Sequence, residues 1–480
     1  MLQPGFVGTT VPDWVRRRVA GGLGGVALFS RNIVDRAQVR ALTEALKAEN
    51  PDVIIAIDEE GGDVTRLEAD QGSSRPGNLA LGVVDDLELT EAVARSIGRD
   101  LAGAGITLDY APSADVNSNP DNPVIGVRSF GADTELVARH AAAWVRGLQS
   151  TGVSACAKHF PGHGDTNVDS HQKVPAVSGT AAHIAATALP PFRAAIEAGV
   201  RAVMTGHLLV SAYDQDRPAT MSRTILVDLL RGELAFEGPI ITDGIEMRAV
   251  ADRYGLAGAA VRALAAGVDA ICVGGGNADE ATVERLRTAI VEAVQDGELS
   301  VHRLADAARR VGELATAPTP ATGRGPEPDA EVGLAAARRA IRVTGSGLPL
   351  TGAPHVVELA PFVHEAIDRG TPWGVAEPLG RLRPDATSVR VYPSDAGDVA
   401  ALAEAALRPA AGRPLVLVVR DAHRRRWMSE VLDRLLTDRP DAVVVELGVP
   451  GPGPRGAVHI ATHGAARVCG QAAAELLIRG

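Results

Sequence analysis

The chain has 480 residues, more than one ordinary core accommodates, so two domains are expected, one of them large enough to be a barrel of about 250 residues or more. A formal net charge of −11 argues against nucleic acid or an acidic membrane surface as the main partner, and the 46% apolar content is that of a soluble globular protein. Cys156, Cys272 and Cys469 are widely spaced in apolar surroundings and read as buried free thiols rather than a disulfide framework or a metal site. The start, Met1-Leu2-Gln3-Pro4-Gly5, has neither a basic nor an apolar leader pattern, and no run of about 18 apolar residues occurs, so a cytoplasmic protein without a membrane partner is expected.

In chain order, eight short apolar segments have strand character: Phe6 to Gly8, Val26 to Phe29, Val53 to Ile57, Ile106 to Asp109, Val153 to Ala157, Ala202 to Thr205, Pro239 to Thr242 and Ala270 to Val273. Amphipathic stretches lie between them, among them Ala37 to Ala48, Leu87 to Ala102, Glu135 to Gln149, Ala181 to Ala198 and Ala278 to Gln295. Strand and helix alternating eight times predicts an α/β fold of the (β/α)8 TIM-barrel type over residues 1–315. The rival, a doubly wound open sheet, lacks its Gly-x-Gly-x-x-Gly fingerprint after the first strand. Thr316 to Asp329, with Pro318, Pro320, Pro326 and Pro328, reads as a linker, placed at residues 316–332. Beyond it, apolar runs at 355–359, 388–392, 415–419 and 442–446 alternate with helical patterns such as Gly397 to Leu407. Residues 333–480 are therefore expected to form a smaller α/β layer domain. Arg424-Arg425-Arg426, the densest basic run, reads as a solvated helix face.

Active sites of barrels gather at the carboxyl ends of the strands, and the polar motifs obey that rule. Asp58 opens Asp58-Glu59-Glu60-Gly61-Gly62-Asp63-Val64-Thr65-Arg66 after the third segment. Asp109-Tyr110-Ala111-Pro112 follows the fourth, Thr205-Gly206-His207 the sixth, and Thr242-Asp243-Gly244 the seventh. The densest chemistry follows the fifth, where residues 158–171 read Lys-His-Phe-Pro-Gly-His-Gly-Asp-Thr-Asn-Val-Asp-Ser-His, and Lys158 is one of three lysines in the chain. Imidazole and carboxylate side chains such as His159, His163, Asp165, Asp169 and His171 also suit zinc or manganese, but the spacing fits neither a helical HExxH nor a cysteine-pair site. His163 and Asp165 have a structural reading as well, satisfying backbone groups of a turn.

The run resembles the KHFPGHGDTxxDSH signature of the β-N-acetylglucosaminidase branch of glycoside hydrolase family 3, and matches it at every fixed position. The resemblance implies an acid/base dyad of Asp169 and His171. An imidazole with an ordinary pKa of about 6.5 is suited to give a proton to a departing glycosidic oxygen and later to take one from water. The family nucleophile, an aspartate in a T/S-D-x-x-x-M context, corresponds to Asp243 of Thr242-Asp243-Gly244-Ile245-Glu246-Met247; relatives often carry a second acidic residue where Gly244 stands. A helix-capping role is the plain alternative for Asp243. The implied sugar contacts are Asp58, Arg66, Arg128 of Ile125-Gly126-Val127-Arg128-Ser129-Phe130-Gly131, Lys158 and His159, with a salt bridge between Asp58 and Arg66 as the structural alternative. Glu59 and Asp63 stand where relatives commonly have glutamine and arginine, which bears on fine specificity. His207 reads equally well as a residue behind the contact layer.

The expectation is a retaining, exo-acting β-N-acetylglucosaminidase for small saccharides such as peptidoglycan-recycling fragments or chitooligosaccharides, working without metal or organic cofactor. The alternative is a phosphorylase that passes the glycosyl group to inorganic phosphate with the same residues. Gly274-Gly275-Gly276, after the eighth segment, lies where barrels often hold a phosphate, or else gives the sugar room.

Overall fold

In a computed structural model the described residues are 1–168, 174–275, 279–317, 330–361, 366–367, 370–395 and 399–479. They form two compact units, and the division is not one cut along the chain. Residues 1–60, 87–125 and 129–328 make the first unit; 61–86, 126–128 and 329–480 make the second.

Apart from a separate pair of two-residue strands, Ala176–Val177 and Leu209–Val210, the described strands of the first unit are β1 (Leu2–Pro4), β2 (Gly25–Leu28), β3 (Ile54–Ile57), β4 (Leu108–Asp109), β5 (Ser154–Phe160), β6 (Ala202–Thr205), β7 (Ile240–Thr242) and β8 (Ile271–Val273). Strands β2 to β7 pair in chain order, all parallel. An Ile241–Ala270 bridge carries the sheet to β8, β8 pairs in parallel with β1, and Gln3 of β1 packs against Gly25 of β2. The eight strands thus follow one another in the order of a (β/α)8 barrel, each linked to the next by helix. Every residue of β1 to β8 is buried, as expected when helices cover a parallel sheet. Ala27, Ala56, Leu108, Cys156, Met204, Ile241 and Cys272 meet in one core cluster.

Helices begin where short polar side chains satisfy their first N–H groups. Asp35, Asp133 and Asp279 accept from the backbone N–H three residues on, opening Arg36–Glu49, Thr134–Gln149 and Glu280–Gln295. Two expectations change. The first strand is Leu2–Pro4 rather than residues 6–8, because the partner edge of β8 takes up Leu2, Gln3 and Pro4. The helical pattern 181–198 is two helices, Ala181–Thr187 and Pro190–Glu197, since prolines at 190 and 191 start a new helix rather than continue one.

The second unit holds a six-stranded sheet of β9 (Arg342–Gly345), β10 (His355–Leu359), β11 (Thr387–Val391), β12 (Leu415–Val419), β13 (Val443–Glu446) and β14 (Val458–Ala461). Their order is β9-β14-β13-β12-β10-β11, parallel except for the edge strand β9. Helices Val399–Leu407 and Arg426–Asp438 pack their apolar side chains into the cluster on one face, and Ala376–Leu382 and Arg467–Arg479 into the cluster on the other, giving three layers. Residues 61–86 are built into this unit. Asp63 is buried, with Arg420 Nη2 2.5 Å from Oδ2 and Ala465 N 2.8 Å from Oδ1. Arg467 Nε donates to Gly72 O at 3.2 Å, and helix Asn78–Val84 packs on helix Ala330–Ala340. Expected boundaries at 315 and 333 therefore miss a mid-chain contribution to the second unit, because partners more than 300 residues apart leave no local signal. Most of the linker expected over 316–332 lies outside the described residues. The Arg424–Arg426 run is not a uniform solvated face: Arg424 is tucked against Asp421 at 2.5 Å, and the helix starts only at Arg426. All three cysteines are free and buried. No helix among the described residues is long and apolar enough to cross a membrane.

Candidate active site

Strand β5 carries an irregularity at the place where the sequence concentrates its ionisable groups. Ala157 lies opposite Val203 and Phe160 opposite Thr205, so β5 has one more residue than β6 over that span. Lys158 and His159 fall inside this bulge. Consecutive residues of a regular strand point to opposite faces, whereas a bulge re-aims them, which is why bulges recur beside active sites. Here Lys158 reaches back to the end of β3, its Nζ 2.6 Å from Asp58 Oδ1 and 2.7 Å from Glu60 Oε1. His159 turns to the segment after β4, with Nδ1 2.7 Å from Asp115 Oδ2.

Asp115 is fully buried and organises this half of the site. Its Oδ1 accepts from His163 N at 2.6 Å and His159 N at 3.3 Å, and its Oδ2 from Ser113 Oγ at 3.0 Å. Burial alone raises such a carboxyl, but the charge and hydrogen bond of His159, with His163 behind it, hold Asp115 below its ordinary value. His163 keeps Nδ1 against Thr166 Oγ1 at 2.7 Å, and burial, then the neighbouring His159, pushes it down to about 4. Its neutral form and turn contacts match the structural reading of that residue. Asp109, at the end of β4, accepts from Glu59 N at 2.9 Å through one oxygen, and burial raises it well above the carboxylate range.

Asp243 stands directly after β7. Its N–H donates to Thr205 O at 3.1 Å, and Gly244 N donates to its Oδ1 at 2.8 Å. The carbonyl of the same Gly244 accepts from His207 Nε2 at 2.9 Å, while His207 Nδ1 meets Thr220 Oγ1 at 2.8 Å. His207 is fully buried and thus braces the turn bearing Asp243. Glu246 reaches from this turn to the end of β8, where Gly274 N donates to Oε2 at 3.0 Å.

Of the residues singled out from sequence, Asp58, Lys158, His159 and Asp243 all lie at carboxyl ends of strands of the first unit, with Asp58 and Lys158 in direct contact. Asp169 and His171 lie outside the described residues. Arg66 and Arg128 belong to the second unit; there Arg66 Nη2 donates to Ala366 O at 2.9 Å, and Arg128 O accepts from Asn78 Nδ2 at 2.7 Å. Sequence reasoning missed Asp115, Glu60 and Glu246. Asp115 offered the same signal as Asp58, a carboxylate just beyond a strand, but Asp109 took that reading first. Among the described residues no three His, Cys, Asp or Glu side chains group as a metal site requires.

Carboxylates, a lysine and imidazoles at the carboxyl ends of a ring of parallel strands are the arrangement of a barrel enzyme. Residues 9–314 match the glycosyl hydrolase family 3 N terminal domain, and the chain belongs to that family. It is 35% identical over 335 residues to Beta-hexosaminidase A of Pseudoalteromonas piscicida, a match covering 64% of this chain and 56% of that protein. The chain thus spans little more than half the length of that relative. Over 294 residues it is 34% identical to Beta-hexosaminidase LpqI of Mycobacterium tuberculosis, covering 59% of this chain and 73% of that one. The structure of a family 3 beta-N-acetylglucosaminidase from Paenibacillus sp. str. FPU-7 superposes with a TM-score of 0.87 at 30% identity, covering 99% of this chain and 95% of that one. A barrel followed by an α/β domain is therefore the architecture of both chains.

Proposed function

We propose that this chain is a retaining exo-β-N-acetylglucosaminidase that removes terminal β-linked N-acetylglucosamine from small saccharides such as muropeptide fragments or chitooligosaccharides. The observation that carries the reading is Asp243, a carboxylate at the end of β7 with one oxygen held by Gly244 N and its turn braced by His207. An aspartate held in this way meets an anomeric carbon without reorganising, which suits a nucleophile. The kinship with proteins named beta-hexosaminidase supports the sugar. Attack by Asp243 displaces the aglycone, and His171, oriented by Asp169, gives its proton to the departing oxygen. The same imidazole then takes a proton from the water that opens the glycosyl ester, so the configuration at the anomeric carbon is retained. Asp58, Lys158 and His159 serve the sugar hydroxyls and acetamido group.

A 2-fluoro or slowly turned over activated substrate should leave one glycosyl unit on the peptide containing Asp243, read by mass spectrometry. His171→Ala should slow substrates with poor leaving groups far more than activated aryl glycosides, which depart without a proton. An inverted product, or equal losses for good and poor leaving groups, overturns these roles.

A further inference from the structure

The glycine run after β8 faces a residue that the proposed reaction does not use. A methyl group placed on Gly244, Gly274 or Gly275 would come within 2.9, 2.9 and 3.1 Å of a Glu246 oxygen. Three glycines from two strand ends thus leave space for one carboxylate, and the Gly274 N–H already donates to it at 3.0 Å. Arg31, with its guanidinium carbon 4.5 Å from the Phe29 ring centroid, supplies nearby positive charge that Glu246 feels. Loops after the seventh and eighth strands are where barrel enzymes frequently seat a phosphate, using backbone N–H groups of this kind.

We infer that Glu246 determines the acceptor: its carboxylate fills the place and occupies the backbone donor that an inorganic phosphate would need, and so reserves the glycosyl unit for water. This rests on the reading of Asp243 as nucleophile. In hydrolysis, water attacks the anomeric carbon, the bond to Asp243 breaks, and one water proton passes to the imidazole. In phosphorolysis, a phosphate oxygen would form that bond instead, releasing the Asp243 carboxylate and a sugar 1-phosphate. A second anion brought beside Glu246 meets like-charge repulsion and finds the Gly274 N–H taken. Gly244 directly follows Asp243, and the acid two positions further on occupies the space that this glycine leaves.

The test uses the full chain and its Glu246→Ala and Glu246→Gln variants, with inorganic phosphate as probe. Phosphate affinity is measured by calorimetry without substrate, and products from an aryl N-acetylglucosaminide are measured with and without phosphate. The wild type should give free sugar whether or not phosphate is present. Glu246→Ala should bind phosphate at least about tenfold more tightly and raise the ratio of sugar 1-phosphate to free sugar by a similar factor. Glu246→Gln, nearly the same in shape, should show a smaller rise and controls for misfolding of the alanine variant. Unchanged phosphate affinity in both folded variants overturns the inference, as does sugar 1-phosphate as the main wild-type product. A gain in phosphate affinity without sugar release by the wild type would keep the role of Glu246 and remove that of Asp243.

Discussion

Replacing Asp115 by asparagine probes the arrangement around His159 directly. The asparagine carbonyl can keep the two bonds that Oδ1 now accepts, from His163 N at 2.6 Å and His159 N at 3.3 Å. Its amide would face two groups that now donate to Oδ2, the Ser113 hydroxyl at 3.0 Å and His159 Nδ1 at 2.7 Å. The hydroxyl can reverse, but the ring must give up its Nδ1 proton or rotate. Losing one charge-assisted bond costs about 1.5–3 kcal/mol, partly offset because a charge is no longer buried, so a net loss of about 2 kcal/mol is expected near neutral pH. Since Asp115 sits below its ordinary value when folded, its contribution is present above the unfolded carboxyl value of 3.8 and lost as pH falls through the folded one. The deficit of Asp115→Asn should therefore shrink toward acid pH. A reoriented His159 should also lower kcat/KM by about 10- to 100-fold. Urea unfolding followed by circular dichroism gives the first number and aryl-glycoside kinetics the second. A variant within about 0.5 kcal/mol of wild type that keeps full kcat/KM would show that Asp115 does not position His159.

His163→Asn should flatten a pH dependence of stability. With His163 at about 4 when folded and 6.5 when unfolded, the unfolded chain binds a proton that the folded chain refuses, so stability rises across that window, by about 3 kcal/mol in total; an unchanged slope in urea melts refutes this. Asp109 is raised well above 3.8 on folding, so it lowers stability as pH climbs from that value through the folded one. Asp109→Asn should accordingly gain stability relative to wild type as pH climbs above 3.8, and a gap that narrows instead would contradict it. Activity should survive a metal chelator, because the proposed chemistry is acid/base; loss with recovery on adding zinc or manganese would favour metal ligation in the histidine loop.

The barrel was legible because its strands are short apolar runs separated by capped amphipathic helices, and because polar residues at their carboxyl ends marked the mouth. Strand β1 was not, since three residues ending in Pro4 show no alternation and proline argues against a strand. Edge strand β9 is exposed along its whole length and β14 contains His459, so neither presents an apolar run. The motif residues of the histidine loop and Asp243 stood out as chemistry, but their bracing did not. The bulge at Lys158 depends on the register against β6, and the partners of His159 and Asp243 are set by neighbouring strands. Nothing local to residues 61–66 announced that Asp63 pairs with Arg420.

That pairing has a consequence for the order in which the chain is made. Asp63 and Arg420 are separated by 357 residues. At roughly 5–20 residues per second of synthesis, residues 61–86 leave the ribosome about 20 to 70 s before their partner segments exist. Throughout that interval Asp63 is without the Arg420 guanidinium that pairs with it in the folded chain. The second unit therefore cannot close until Arg420 has emerged, and a ribosome stalled shortly beyond residue 315 would present an accessible segment at 61–86 to chaperones and proteases.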